Sequence, residues 1–116
     1  MNKTIEYPWS GQIQSPNFPY DYPNNAEGQW LLKAPLGATI QITFSELEIE
    51  TCSTLCTCDY VAVFDSETDE DPETMIGKYC GSARPLAITS TDRYLLINFK
   101  SDVIYGGKGE VYFCMS

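Results

Sequence analysis

The sequence predicts an all-β protein, a sandwich or jelly roll of short strands. No window carries an apolar stripe at helical spacing over three turns. Runs rich in β-branched and aromatic residues recur along the chain, and Gly, Pro and Asn punctuate them. The clearest run places Ile40, Ile42 and Phe44 against polar Gln41 and Thr43, the period of two of a half-buried strand. At 116 residues the chain suits one domain, large enough to bury roughly two-thirds of its unfolded surface in a single core.

In chain order, residues 1–10 (MNKTIEYPWS) show no clear periodicity and read as an extended N-terminal arm. Tyr7, Pro8 and Trp9 pack it on a domain occupying residues 11–116. Gly11 to Ser15 is a short strand. The following SPNFPYDYP must be ordered loop, because its three prolines fix φ and remove backbone donors. Its aromatics Phe18, Tyr20 and Tyr22 are expected to hold it against the sandwich. Strands follow at Gln29–Lys33, around Ile40–Phe44 and at Tyr60–Phe64. The acidic run from Asp65 to Thr74 lacks the glycine and glutamate spacing of a helix-loop-helix calcium site and reads as a solvated hairpin loop. Met75–Cys80, Leu86–Ser90, Tyr94–Phe99 and Glu110–Cys114 complete the set, with Leu95, Ile97 and Phe99 on one face.

Sixteen acidic against seven basic residues give a net charge of -9. This disfavours nucleic acid and anionic membrane, which need basic patches, and favours a metal cation or a cationic partner. No apolar run approaches the roughly 18 residues of a spanning helix, so no direct membrane insertion is expected. The N-terminus has neither a basic region nor a long apolar block, as in a mature or excised module. Five cysteines without a single histidine point to disulfides rather than zinc, hence to an oxidising compartment. The sequon Asn2-Lys3-Thr4 agrees with a secreted glycoprotein. Five cysteines in two bridges allow about fifteen arrangements and leave one thiol free for a bridge to a second chain. The absence of histidine also excludes an ordinary catalytic triad, and no enzymatic activity is expected.

The candidate site lies around IETCSTLCTCDYVAVFD. Glu50 and Asp59 bracket its cysteine-laden loop, and Asp102 ends a distant apolar run, INFKSD. Brought together, three carboxylates would repel one another unless a cation sat between them, and all-oxygen ligands select a hard ion such as Ca2+.

The motifs SPNFPYDYP, the strand around Trp30, FSELEIE, CTCDYVAVFD, IGKYCG and INFKSD, in that order, resemble a CUB domain from Gly11 nearly to the C-terminus. The resemblance implies a jelly-roll sandwich of two mostly antiparallel five-stranded sheets, extracellular and without catalysis. Within the calcium-binding subtype it implies Glu50, Asp59 and Asp102 as metal ligands, with Glu46 or Glu48 as alternatives to Glu50. Tyr22 supports the cluster, and backbone carbonyls near Val103 or Ile104 complete it. It also implies a Cys56–Cys80 bridge. The family's first disulfide is absent, since position 28 is glycine. A second bridge is expected from Cys58 or Cys52 to Cys114, on the expectation that the last strand lies beside the one that begins near Asp59.

The function expected is a calcium-dependent protein-binding module of a secreted or cell-surface protein, its acidic cage capturing a Lys or Arg of the partner by a charge-assisted, salt-sensitive contact. Two other classes compete with it. One is a calcium-free spacer, or a homodimerisation module joined through the odd cysteine. The other is a glycan-binding jelly roll that stacks sugars on Tyr20, Tyr22 or Tyr105.

Overall fold

A computed structural model describes residues 2–6, 10–49, 56, 58–82, 84–102 and 107–115. Among these the chain forms β1 (Asn2–Glu6), β2 (Ser10–Gln14), β3 (Glu27–Lys33), β4 (Ile40–Glu48), β5 (Tyr60–Phe64), a 3-10 turn at Pro72–Thr74, β6 (Met75–Tyr79), β7 (Ile88–Thr89), β8 (Tyr94–Lys100) and β9 (Lys108–Met115). Two sheets face each other, one ordered β1-β3-β8-β5-β6 and the other β2-β9-β4-β7. Among the described residues every strand pairing is antiparallel except β1 with β3. The expected sandwich therefore forms, with five strands in one sheet and, among the described residues, four in the other. The N-terminal segment expected as an arm supplies a strand of the larger sheet, with Lys3 opposite Trp30 and Ile5 opposite Leu32.

Alternation builds the core. Trp30 and Leu32 of β3, Ile40, Ile42 and Phe44 of β4, Leu95, Ile97 and Phe99 of β8, and Val111, Phe113 and Met115 of β9 are buried in one cluster between the sheets. Burying each such large apolar side chain stabilises by roughly 1.5–3 kcal/mol. β5 does not alternate, because both its faces are covered. Val61 and Val63 join the main core, while Ala62 and Phe64 form a second cluster with Leu96 on the outer face. The acidic connection after β5 bends back toward that face. Asp71 caps the 3-10 turn by accepting from the Glu73 N–H at 2.9 Å, and Asp69 Oδ2 accepts from Asn98 Nδ2 at 2.8 Å. β7 is shorter than expected because Leu86 is 91% exposed and contributes nothing to the core.

Cys56 and Cys80 are bridged, with Cα atoms 5.6 Å apart. The bridge from Cys58 to Cys114 does not form. Cys114 is a free, exposed thiol, and Cys58 is disulfide-bonded, but not to Cys114. The reason is topological. β9 lies between β2 and β4 in the second sheet, whereas β5 lies between β8 and β6 in the first. Cys114 also points away from the core, out of phase with buried Phe113 and Met115. Cys52, the alternative partner, lies outside the described residues.

Candidate cation site at the loop tip

One end of the sandwich gathers the loop between β2 and β3, the start of β5, the end of β8 and the start of β9. The loop is anchored first at Ser15, whose N–H donates to the Gly109 carbonyl at 2.9 Å while its hydroxyl accepts from the Gly109 N–H at 2.9 Å. Asn17 and Asn25 take positive φ values of 66° and 54°. Asparagine tolerates this region better than most side chains, which suits the loop's tight turns. The loop then turns Tyr22 inward, where it is 3% exposed and lies edge-on to Phe99 at 4.8 Å between ring centroids. Its N–H donates to the Gly107 carbonyl at 2.8 Å. Gly107 is required there, because a Cβ would stand 1.8 Å from the Glu48 carbonyl oxygen. Tyr20, by contrast, is 78% exposed and holds nothing down.

Tyr22 presents its hydroxyl to Asp59, donating to Oδ2. Asp59 is fully buried, and its Oδ1 accepts from the Asp102 N–H at 2.7 Å. Burial pushes the Asp59 carboxyl above the ordinary 3.8. The bonds from Tyr22 and the Asp102 N–H pull it back down, and the Asp102 charge adds to the rise. A buried carboxylate kept beside a second one is an arrangement that a cation would relieve. Each Asp59 oxygen keeps lone-pair capacity beyond its one donor. The donor set is all oxygen and free of histidine, so it fits a hard ion such as Ca2+ rather than zinc.

Of the expected ligands, Asp59 and Asp102 meet, and Tyr22 meets Asp59. Glu50, Val103 and Ile104 lie outside the described residues, and among the described ones no three metal-ligating side chains cluster. Of the alternatives to Glu50, Glu48 is exposed opposite Lys108, and Glu46 lies at the β4 bulge opposite Glu110. Of the tyrosines considered for sugar stacking, Tyr22 is buried in the tip and Tyr105 lies outside the described residues.

Ser101 is a contributor the sequence reading missed. It is 2% exposed, its hydroxyl donates to the Pro23 carbonyl at 2.8 Å and accepts from the Ala26 N–H at 2.7 Å, and so it staples the loop to the end of β8. Asn25 N–H donates to the Asp102 carbonyl at 2.6 Å, a second tie between the same segments. Nothing in the sequence distinguishes Ser101 from other serines except its place before Asp102.

This is a two-sheet β-sandwich module with Asp59 and Asp102 brought together in the loops at one end. The family follows from comparison with known proteins: the model described as "CUB domain" matches residues 6–109, and the chain belongs to that family. Its members are typically non-catalytic interaction modules of extracellular proteins. The chain is 42% identical over 93 residues to cubilin of the dog (Canis lupus familiaris), covering 80% of this chain and 2% of that protein. It superposes on the full extracellular region of zebrafish Gpr126/Adgrg6 with a TM-score of 0.81 and 30% identity, covering 97% of this chain and 14% of that one. It also shares the fold of the MASP-1 CUB2 domain, whose crystal structure is bound to Ca2+, with a TM-score of 0.76 and 23% identity over 92% of this chain and 95% of that one. The chain thus spans a small fraction of the multidomain proteins it resembles.

Proposed function

We propose that this chain is a calcium-dependent protein-binding module of a secreted or cell-surface protein. Glu50, Asp59 and Asp102 hold Ca2+ at the loop tip, Tyr22 supports Asp59, and carbonyls of Val103 or Ile104 complete the coordination. The ordered acidic tip then captures a lysine or arginine of the partner protein. The observation carrying this reading is Asp59: buried, raised in pKa, and fixed by the Tyr22 hydroxyl and the Asp102 N–H. The net charge of -9 favours a cationic partner.

Thermal unfolding in calcium and in chelator is the test. Calcium is expected to raise the Tm of the wild-type chain, and Asp59→Asn and Asp102→Asn are each expected to abolish the increase, because ligand bound only to the folded state stabilises it by mass action. An equal response in wild type and both variants would remove these residues from the site.

A further inference from the structure

A second polar surface lies on the outer face of the five-stranded sheet, in a cleft of about 320 Å³. That volume is at the lower end of ligand sites, which run from roughly 300 to 1,000 Å³. Glu27, Gln29, Tyr60, Asp69, Asn98 and Lys100 line it. Its middle is a relay of planar polar groups: Gln29 Nε2 donates to Asn98 Oδ1 at 3.0 Å, and Asn98 Nδ2 donates to Asp69 Oδ2 at 2.8 Å. The relay fixes which atom of each amide faces which way and leaves the Gln29 carbonyl oxygen, the second Asn98 proton and the second Asp69 oxygen for a ligand. Lys100 and Glu27 stand 3.9 Å apart at one end. Tyr60 forms a wall, with Lys78 Nζ 4.3 Å from its ring centroid.

In a chain of net charge -9 this cleft carries little net charge, with Lys100 set against Glu27 and the Lys78 ammonium over the Tyr60 ring. A cationic peptide would find little net attraction here, and an anion would meet two carboxylates. Alternating fixed donors and acceptors beside an aromatic ring instead suit an uncharged polyol, whose vicinal hydroxyls both donate and accept and whose C–H face packs on an electron-rich ring. We propose that this cleft binds a neutral pyranose, the terminal residue of a glycan, independently of calcium.

The test is a nitrogen–proton correlation titration of the chain in chelator with methyl α-mannoside, methyl β-galactoside and N-acetylglucosamine. At least one sugar is expected to shift the side-chain amide signals of Gln29 and Asn98 saturably, with roughly millimolar affinity. Gln29→Leu and Asn98→Leu, each checked for an unchanged Tm, are expected to weaken binding by about tenfold, as for loss of one or two net hydrogen bonds. Two separate outer-face variants keep the test decisive if one of them does not fold. The proposal is overturned if no sugar shifts these signals, if the shifts centre on the loop tip, or if affinity is unchanged in the folded variants.

Discussion

Tyr22→Phe removes one oxygen atom and keeps the ring that packs edge-on against Phe99. What is lost is the hydroxyl donated to a fully buried carboxylate. A hydrogen bond to a charged group contributes about 1.5–3 kcal/mol, and with both partners buried no water replaces it freely. For a domain of this size that corresponds to a Tm lower by about 5–15 °C. The loss should depend on pH. Asp59 is held above its ordinary 3.8, chiefly by burial. As pH rises through that interval, the folded chain therefore keeps a proton that the unfolded chain has released, and Asp59 lowers stability at neutral pH. Tyr22 limits this cost by favouring the ionised form, so its removal should matter most above the folded pKa of Asp59. Below 3.8 the carboxyl is protonated in both states and the difference should shrink. Urea unfolding of wild type and Tyr22→Phe in chelator, at neutral pH and at a pH below 3.8, reads this directly. A neutral-pH loss under about 0.5 kcal/mol, or one that does not change on acidification, would refute the reasoning.

Gly107→Ala should lower the Tm and blunt any calcium response, because its Cβ would collide with the Glu48 carbonyl at 1.8 Å and displace the strand start that receives the Tyr22 N–H; an unchanged Tm would contradict the close approach. Replacing both Cys56 and Cys80 by alanine should cost about 3.5 kcal/mol on the chain-entropy account of a bridge with sequence separation 24, measured by urea unfolding. Glu110 is held below its ordinary 4.5 by the bond from Gln14 Nε2 at 2.7 Å, against its burial, with Ser45 and Tyr112 helping. It therefore stabilises above 4.5 and loses that contribution as pH falls through its folded value. Glu110→Gln should lower stability at neutral pH and converge with wild type in acid, as pH-dependent unfolding will show.

β4 was legible because its burial is largely one-sided, with Ile40, Ile42 and Phe44 carrying the period of two; in β8 Leu95, Ile97 and Phe99 carry the same period on the core face, although Leu96 is buried on the other. β5 was legible for the opposite reason, as a continuous apolar run covered on both faces. β1 was not, because a short edge strand owes its place to parallel pairing with β3, a tertiary fact that its own residues do not encode. The same limit explains Cys114. Its pairing depended on which strands are neighbours, and β9 joins the other sheet. At the tip, Asp59, Asp102 and Tyr22 were readable from motifs with chemical meaning. Ser101 and Gly107 were not, since their roles are a backbone staple and a close approach that appear only when distant loops meet.

Isothermal calorimetry of calcium into the chain at neutral pH addresses the tip carboxylates most directly. One ion per chain is expected, with a dissociation constant of about 10⁻⁴ to 10⁻³ M, the range of extracellular calcium modules. Affinity should weaken on acidification as the carboxylates take up protons, and Asp59→Asn should give no heat of binding. Absence of binding by the wild type, or the same isotherm from a folded Asp59→Asn chain, would contradict the proposed cation site.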